Sequence, residues 1–372
     1  MHIYGFLLFA LVSVSTGHSI ASDLKLVHVF FRHGSRTPEE KDIYPTDPYK
    51  LEDFQPMGWG QLTNVGKQRA FKLGKLLRKR YDSFLGKLYV PDIVMAQSTD
   101  YDRTKMSALL ALAGLFKPAP SQIWDEEVTW LPIPYSYLKD SFDYQLRRPN
   151  AYCPTYLKEL EEARASAKVQ TLLKENKKLL TYIARNAGKP INTLDDVFGI
   201  YQTLCAEKSL NLTIPDWAVK VYDDIETLSG KLCELENSND VLKKLNGGRM
   251  LGKVIEQMIA KSEEKLVPEQ TKIYLYSGHE NNVINILAAL DLFKPHVPKY
   301  SAAVIIELHY LEDSKRYGVK VYYSRDVNAE PEEQQLPGCD VMCPLSDFIQ
   351  ITKPHVPTNF TEECHSNINL DI

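Results

Sequence analysis

The stretch LKLVHVFFRHGSRTP (Leu24–Pro38) decides the fold. Leu24 to Phe31 is a nearly continuous apolar run rich in β-formers, as expected of a strand buried on both faces of a parallel sheet. Directly behind it stand Arg32, His33 and Arg36, charges that a chain concerned only with folding would not place there. The same grammar recurs twice. DIVMAQ (Asp92–Gln97) runs into the polar turn STDYDRT and an apolar helix ending near Pro118, and KIYLY (Lys272–Tyr276) runs into SGHENN and a helix from Asn282 to Leu292. A helix is predicted from near Thr63, with Val65, Leu73, Leu76 and Leu77 on one face, and further strands over Ala302–Leu311 and Val319–Ser324. Ligands of open α/β sheets bind beyond the carboxyl ends of the strands, so the three turns can converge on one crevice. The expected fold class is therefore α/β, with a central, mostly parallel sheet flanked by helices.

Between about Pro120 and Lys265 the texture becomes helical and rich in charge, with no recurrent strand signal. The expected organisation is a leader at 1–22, an α/β catalytic domain from 23–119 and 266–372, and a helical insertion domain at 120–265. The leader reading rests on 22 residues without Lys, Arg, Asp or Glu and on the apolar stretch from Ile3 to Val14, with cleavage expected between Gly17 and Ser22. No later stretch has the length and apolarity of a membrane span. The predicted destination is extracellular, with the lysosomal lumen as the alternative. Six cysteines lie beyond the leader, a disulfide pattern for an exported chain, with fifteen pairings open. Sequons at Asn211 and Asn359 permit glycosylation. A net charge of −4 does not suit nucleic-acid binding, and the basic run Lys75–Arg80 reads as a solvated helix face.

Three guanidiniums at one crevice, from Arg32, Arg36 and Arg103, demand a strongly anionic ligand, and the rigid donor fork of arginine matches a phosphoryl group. Neighbouring cations hold a histidine neutral, which leaves a lone pair free for attack. His33 is thus the candidate nucleophile. Expelling an alkoxide requires a proton, for which Glu280 is the candidate donor, and its proton is available chiefly in acid.

RHGSRTP fits the RHGxRxP signature of the histidine acid phosphatase family, a branch of the phosphoglycerate mutase-like superfamily, and STDYDRT and YSGHENN resemble its second and third motifs. The resemblance extends from about Leu24 to Cys364 and is strongest to secreted insect venom-type members. It implies His33 as nucleophile, Arg32, Arg36 and Arg103 as phosphate clamps, and His279 as a further phosphate-binding side chain. Glu280 departs from the commoner pattern, in which an Asp follows the histidine. Disulfides Cys339–Cys343 and Cys153–Cys364 are also implied. The usual partner of Cys205 is missing from SAAVIIEL after Tyr300, and Cys233 is expected in its place. Homodimers are common among the proteins it resembles.

The expected activity is hydrolysis of a small-molecule or protein phosphate monoester through a phosphohistidine, with no metal and no other cofactor. A phytase-like inositol polyphosphate phosphatase is one rival, and a catalytically weak secreted binder of phosphorylated ligands is another. HENNV imitates the start of a zinc-protease helix, but Val283 stands where the second histidine belongs. His28, in mid-strand, is read as a satisfied core or edge group.

Overall fold

The structure is a computed structural model that describes residues 22–147 and 149–370. The expected leader lies outside these residues, apart from Ser22, where the first strand begins. Strands β1 (Ser22–Arg32), β2 (Val94–Ser98), β3 (Ser136–Tyr137) and β4 (Ile273–Gly278) run parallel in the order β3-β2-β4-β1. Beyond β1 the sheet turns antiparallel through β5 (Ala303–Leu311), β6 (Arg316–Ser324), β7 (Glu332–Gln334) and β8 (Cys343–Pro344). Only residues 312–315 join β5 to β6, too few for the crossover that parallel neighbours need. The parallel half carries all three charged turns, because β2, β4 and β1 are adjacent.

β1 is buried on both faces, as its unbroken apolar run requires. Val27, Val29 and Phe31 pack under α1 (Asn64–Leu85) and α2 (Asp102–Leu115), against Leu73, Leu77, Ala111 and Leu115. Leu26 and Phe30 face the opposite layer, which includes Leu251, Val254, Met258 and Leu287. His28 is enclosed on that side, its Nε2 2.9 Å from Gln257 Oε1.

The middle of the chain is a succession of helices: α3 (Pro154–Ala165), α4 (Ala167–Glu175), α5 (Lys177–Ala187), α6 (Leu194–Ser209), α7 (Asp216–Val219), α8 (Tyr222–Leu235), α9 (Asp240–Lys243) and α10 (Arg249–Ser262). The 120–265 boundaries do not enclose a separate layer. β3 joins the sheet edge, and α10 packs over the sheet itself, burying its apolar stripe of Leu251, Val254 and Met258 in one cluster with Leu26 and Phe30.

Cys153–Cys364 and Cys339–Cys343 are bonded. The expected Cys205–Cys233 bridge is corrected, since both thiols are free. The antiparallel packing of α6 on α8 places Cys205 beside Tyr222 and Tyr201 against Glu226. Cys233 lies eleven residues beyond Tyr222, about 16 Å further along α8. A disulfide needs Cα atoms within about 7 Å.

The loop after residue 43 is tied to α6 by a buried pair of acids, Asp47 and Glu207, with the Tyr44 hydroxyl beside them. Burial, then the Asp47 carboxylate, pushes the Glu207 carboxyl up to about 9. Glu207 therefore keeps its proton in the folded protein, whereas the unfolded chain ionises it near 4.5. This contribution is complete below about pH 4.5 and is lost progressively as pH rises toward 9. Glu207→Gln should remove on the order of 4 kcal/mol of pH-dependent destabilisation between pH 5 and 8. Chemical denaturation at both pH values checks this, and an unaltered pH slope in the variant would contradict it.

Candidate active site

The three turns are stitched together by their own backbones. The His33 N–H donates to Gly278 O at 2.9 Å and the Thr99 N–H to Ser277 O at 3.1 Å, while the Ser277 hydroxyl donates to Thr104 O at 2.8 Å. The first turn also seats directly on the start of α1. A methyl group added at Gly34 would lie 2.1 Å from Gly66 O, and one added at Gly66 would lie 2.0 Å from Ser35 O. Neither position tolerates a side chain without moving the His33 turn.

His33 is buried with both ring nitrogens occupied. Nδ1 lies 2.7 Å from Gly34 O, and Nε2 receives the Arg103 Nε–H at 3.2 Å. A carbonyl oxygen only accepts and a guanidinium only donates, so the hydrogen is assigned to Nδ1 and the lone pair to Nε2. Burial, then Arg103, Arg32, His279 and Arg36, hold the imidazole well below its ordinary pKa. It is neutral, with its basic nitrogen pointed among the arginines.

Each of the three arginines is fixed by protein atoms. Arg32 donates to Pro298 O at 2.6 Å and stacks on Tyr300, with the guanidinium carbon 4.2 Å from the ring centre. Arg36 donates to Thr37 O at 3.0 Å, and Arg103 to Gly60 O at 3.3 Å and to Glu39 Oε1 at 2.9 Å. The His279 ring centre is 5.6 Å from that of His33, and its Nε2 is 3.1 Å from Thr99 Oγ1. Burial, then Arg103 and Arg147, keep His279 neutral too.

Glu280 follows at the first position of α11 (Glu280–Ala289). Its Oε2 is 3.2 Å from Arg32 Nε, and its Oε1 accepts from Gln202 Nε2 at 2.7 Å. Burial alone would raise this carboxyl, but the charges of Arg32 and then Arg36 pull it down to about 2. Five of the six predicted residues, His33, Arg36, Arg103, His279 and Glu280, line one cleft of about 410 Å³, whereas Arg32 is buried behind its wall and reaches the cleft only through its ion pair with Glu280.

Sequence reasoning missed four neighbours. Gln202 reaches in from α6, and Arg147 donates to the Tyr101 hydroxyl at 2.9 Å above the cleft. Glu39 bridges Arg103 and, at 3.8 Å, Arg36, while Tyr300 supports Arg32. Only Glu39 carried a signal, since it directly follows RHGSRTP.

A profile of the histidine phosphatase superfamily (branch 2) matches residues 23–324. The chain belongs to that family. This histidine phosphatase is 38% identical to the venom acid phosphatase Acph-1 of Apis mellifera over 95% of its own length and 92% of the relative's. It is 33% identical to the lysosomal acid phosphatase of Homo sapiens, over 92% and 81% of the two chains, and 33% identical to the human prostatic acid phosphatase, over 93% and 89%. Its fold matches the crystal structure of a Klebsiella phytase with a TM-score of 0.72 at 14% identity, covering 95% of this chain and all of the other. A Hafnia alvei phytase structure in complex with tartrate matches at 0.69 and 16% identity, covering 92% and 98%.

Proposed function

We propose that this protein is an acid phosphatase that hydrolyses phosphate monoesters by transferring the phosphoryl group to His33 and then to water. The observation that carries the reading is the neutral His33, whose Nε2 faces Arg103 and lies in the field of Arg32 and Arg36. The Nδ1–H held by Gly34 O directs Nε2 at phosphorus, and the guanidiniums stabilise the charge on the transferring oxygens. Glu280 gives its proton to the leaving oxygen and later accepts one from the attacking water. A dianionic phosphoryl group among the arginines offsets the field that holds Glu280 near 2, so the carboxyl takes up a proton more readily in the substrate complex. Turnover of p-nitrophenyl phosphate, measured from pH 4 to 8 with EDTA present, should peak in acid. A maximum above pH 7 would count against this reading, and absence of turnover would favour a binder without catalysis.

The acid phosphatase reading is preferred over a phytase because of the outer wall of the cleft. Asp42, Asp195 and Glu236 line it, against Lys41 and Arg147, and Phe198 adds an apolar face. Burial holds the Glu236 carboxyl up at about 7, protonated in acid, and the other two carboxylates offset the two cations, so the wall offers no net positive field to the further phosphates of an inositol polyphosphate. Phytate should therefore be turned over at least about tenfold less efficiently than p-nitrophenyl phosphate at the same pH. The reverse preference would establish the rival.

Export from the cytosol is supported by the uncharged leader, the two disulfides and the exposed Asn211 sequon. N-terminal sequencing of the mature protein should begin between Gly17 and Asp23, and retention of Met1 would refute processing. Among the described residues no helix is long and apolar enough to cross a membrane. The helices from α3 to α9 are proposed as an insertion that covers the crevice. Homodimerisation is supported by the edge strand β3 and the segment that follows it, where Tyr137, Leu138 and Phe142 are exposed. Light scattering giving a monomer mass would exclude it.

A further inference from the structure

We infer that Gln202 is a positioning residue for the proton donor, and that it is matched to the extra methylene of Glu280. The inference rests on the phosphatase reading above and adds to it a residue on α6, far in sequence from all three motifs. Gln202 is 4% exposed, on the helical wall opposite the His33 turn. Its amide orientation follows from its neighbours. Oε1 accepts from Arg36 at 3.3 Å and faces an Arg32 N–H at 3.5 Å, and a guanidinium can only donate. Nε2 must therefore point the other way, where it donates to Glu280 Oε1 at 2.7 Å.

The amide thus joins two phosphate-clamping arginines to the carboxylate that must reach the leaving oxygen. It also limits rotation of a long side chain, since Arg32 holds Oε2 while Gln202 holds Oε1. An Asp at 280 would end one bond sooner, about 1.5 Å. The 2.7 Å contact would open to about 4 Å, beyond hydrogen-bonding distance. Glutamate at this position is therefore accommodated by a dedicated partner, and the pair operates as a unit.

Two substrates separate this role from mere packing: p-nitrophenyl phosphate, whose phenolate leaves without much help, and β-glycerophosphate, whose alkoxide needs a proton. Gln202→Leu should lower kcat on β-glycerophosphate by about tenfold and on p-nitrophenyl phosphate by less than about threefold. Glu280→Asp should show the same split, and the double variant should be within about twofold of either single one, because each removes the same contact. Gln202→Glu keeps an acceptor for both arginines, which guards against a folding defect, but sets a second carboxylate against Glu280. Its alkaline limb of kcat on β-glycerophosphate should move to higher pH. Equal losses on the two substrates, additive losses in the double variant or an unmoved alkaline limb in Gln202→Glu would each overturn the inference. If His33→Ala also retained full activity, the failure would belong to the underlying reading and not to Gln202 alone.

Discussion

Replacement of His33 by alanine should lower kcat on p-nitrophenyl phosphate by about four orders of magnitude or more, with the fold intact. In the proposed mechanism the imidazole supplies the attacking lone pair itself, so alanine removes a bond-forming step and not just an orienting contact. The other imidazole in the cleft does not substitute. The His279 ring centre is 5.6 Å away, so its nitrogens do not occupy the position from which His33 Nε2 attacks. A factor of ten thousand corresponds to roughly 5.5 kcal/mol of barrier, appropriate for a lost covalent route that leaves the arginine clamp in place. The alanine variant should still bind inorganic phosphate, read as competition with a fluorescent phosphate analogue. Retention of more than about a tenth of the wild-type rate would show that another group takes the phosphoryl.

Arg103→Ala should lower kcat/KM by about a thousandfold, the second largest effect expected. Arg103 contacts the nucleophile, through Nε to His33 Nε2, and lines the cleft, its two terminal nitrogens anchored by Gly60 O and Glu39. Its loss removes transition-state charge stabilisation, worth roughly 4 kcal/mol on this estimate, and releases Glu39. Arg103→Lys restores the charge but not the fork, so it should recover no more than about tenfold. Recovery to near wild-type kcat/KM in the lysine variant would mean that net charge suffices and that the donor geometry is irrelevant.

Much of this arrangement was legible in the chain because strands carry their signal locally. An apolar run ending in a charged turn is visible without neighbours, and the rule that ligands bind beyond the carboxyl ends then joins turns that lie 70 and 246 residues apart in sequence, as for His33, Arg103 and His279. Gln202 was invisible for the opposite reason. A single glutamine on an amphipathic helix has no periodicity or motif, and its role arises only when α6 packs across the crevice. The same holds for Tyr300 and Arg147, whose positions depend on loops. The two-residue β3 is too short for alternation to register, and the stripe that sends α10 to the sheet is indistinguishable in sequence from one buried among helices. The cysteines teach a related lesson: Cys205 and Cys233 share a packed helix pair, yet the antiparallel register leaves them too far apart to bond.

The most direct measurement is rapid acid-free quenching of the enzyme during turnover of a phosphate monoester, followed by peptide mapping of the bound phosphoryl group. The mechanism predicts a phosphohistidine at His33, formed in a burst and absent from the His33→Ala variant. A phosphoryl group on any other residue, or turnover with a burst but no enzyme-bound phosphate, would contradict it.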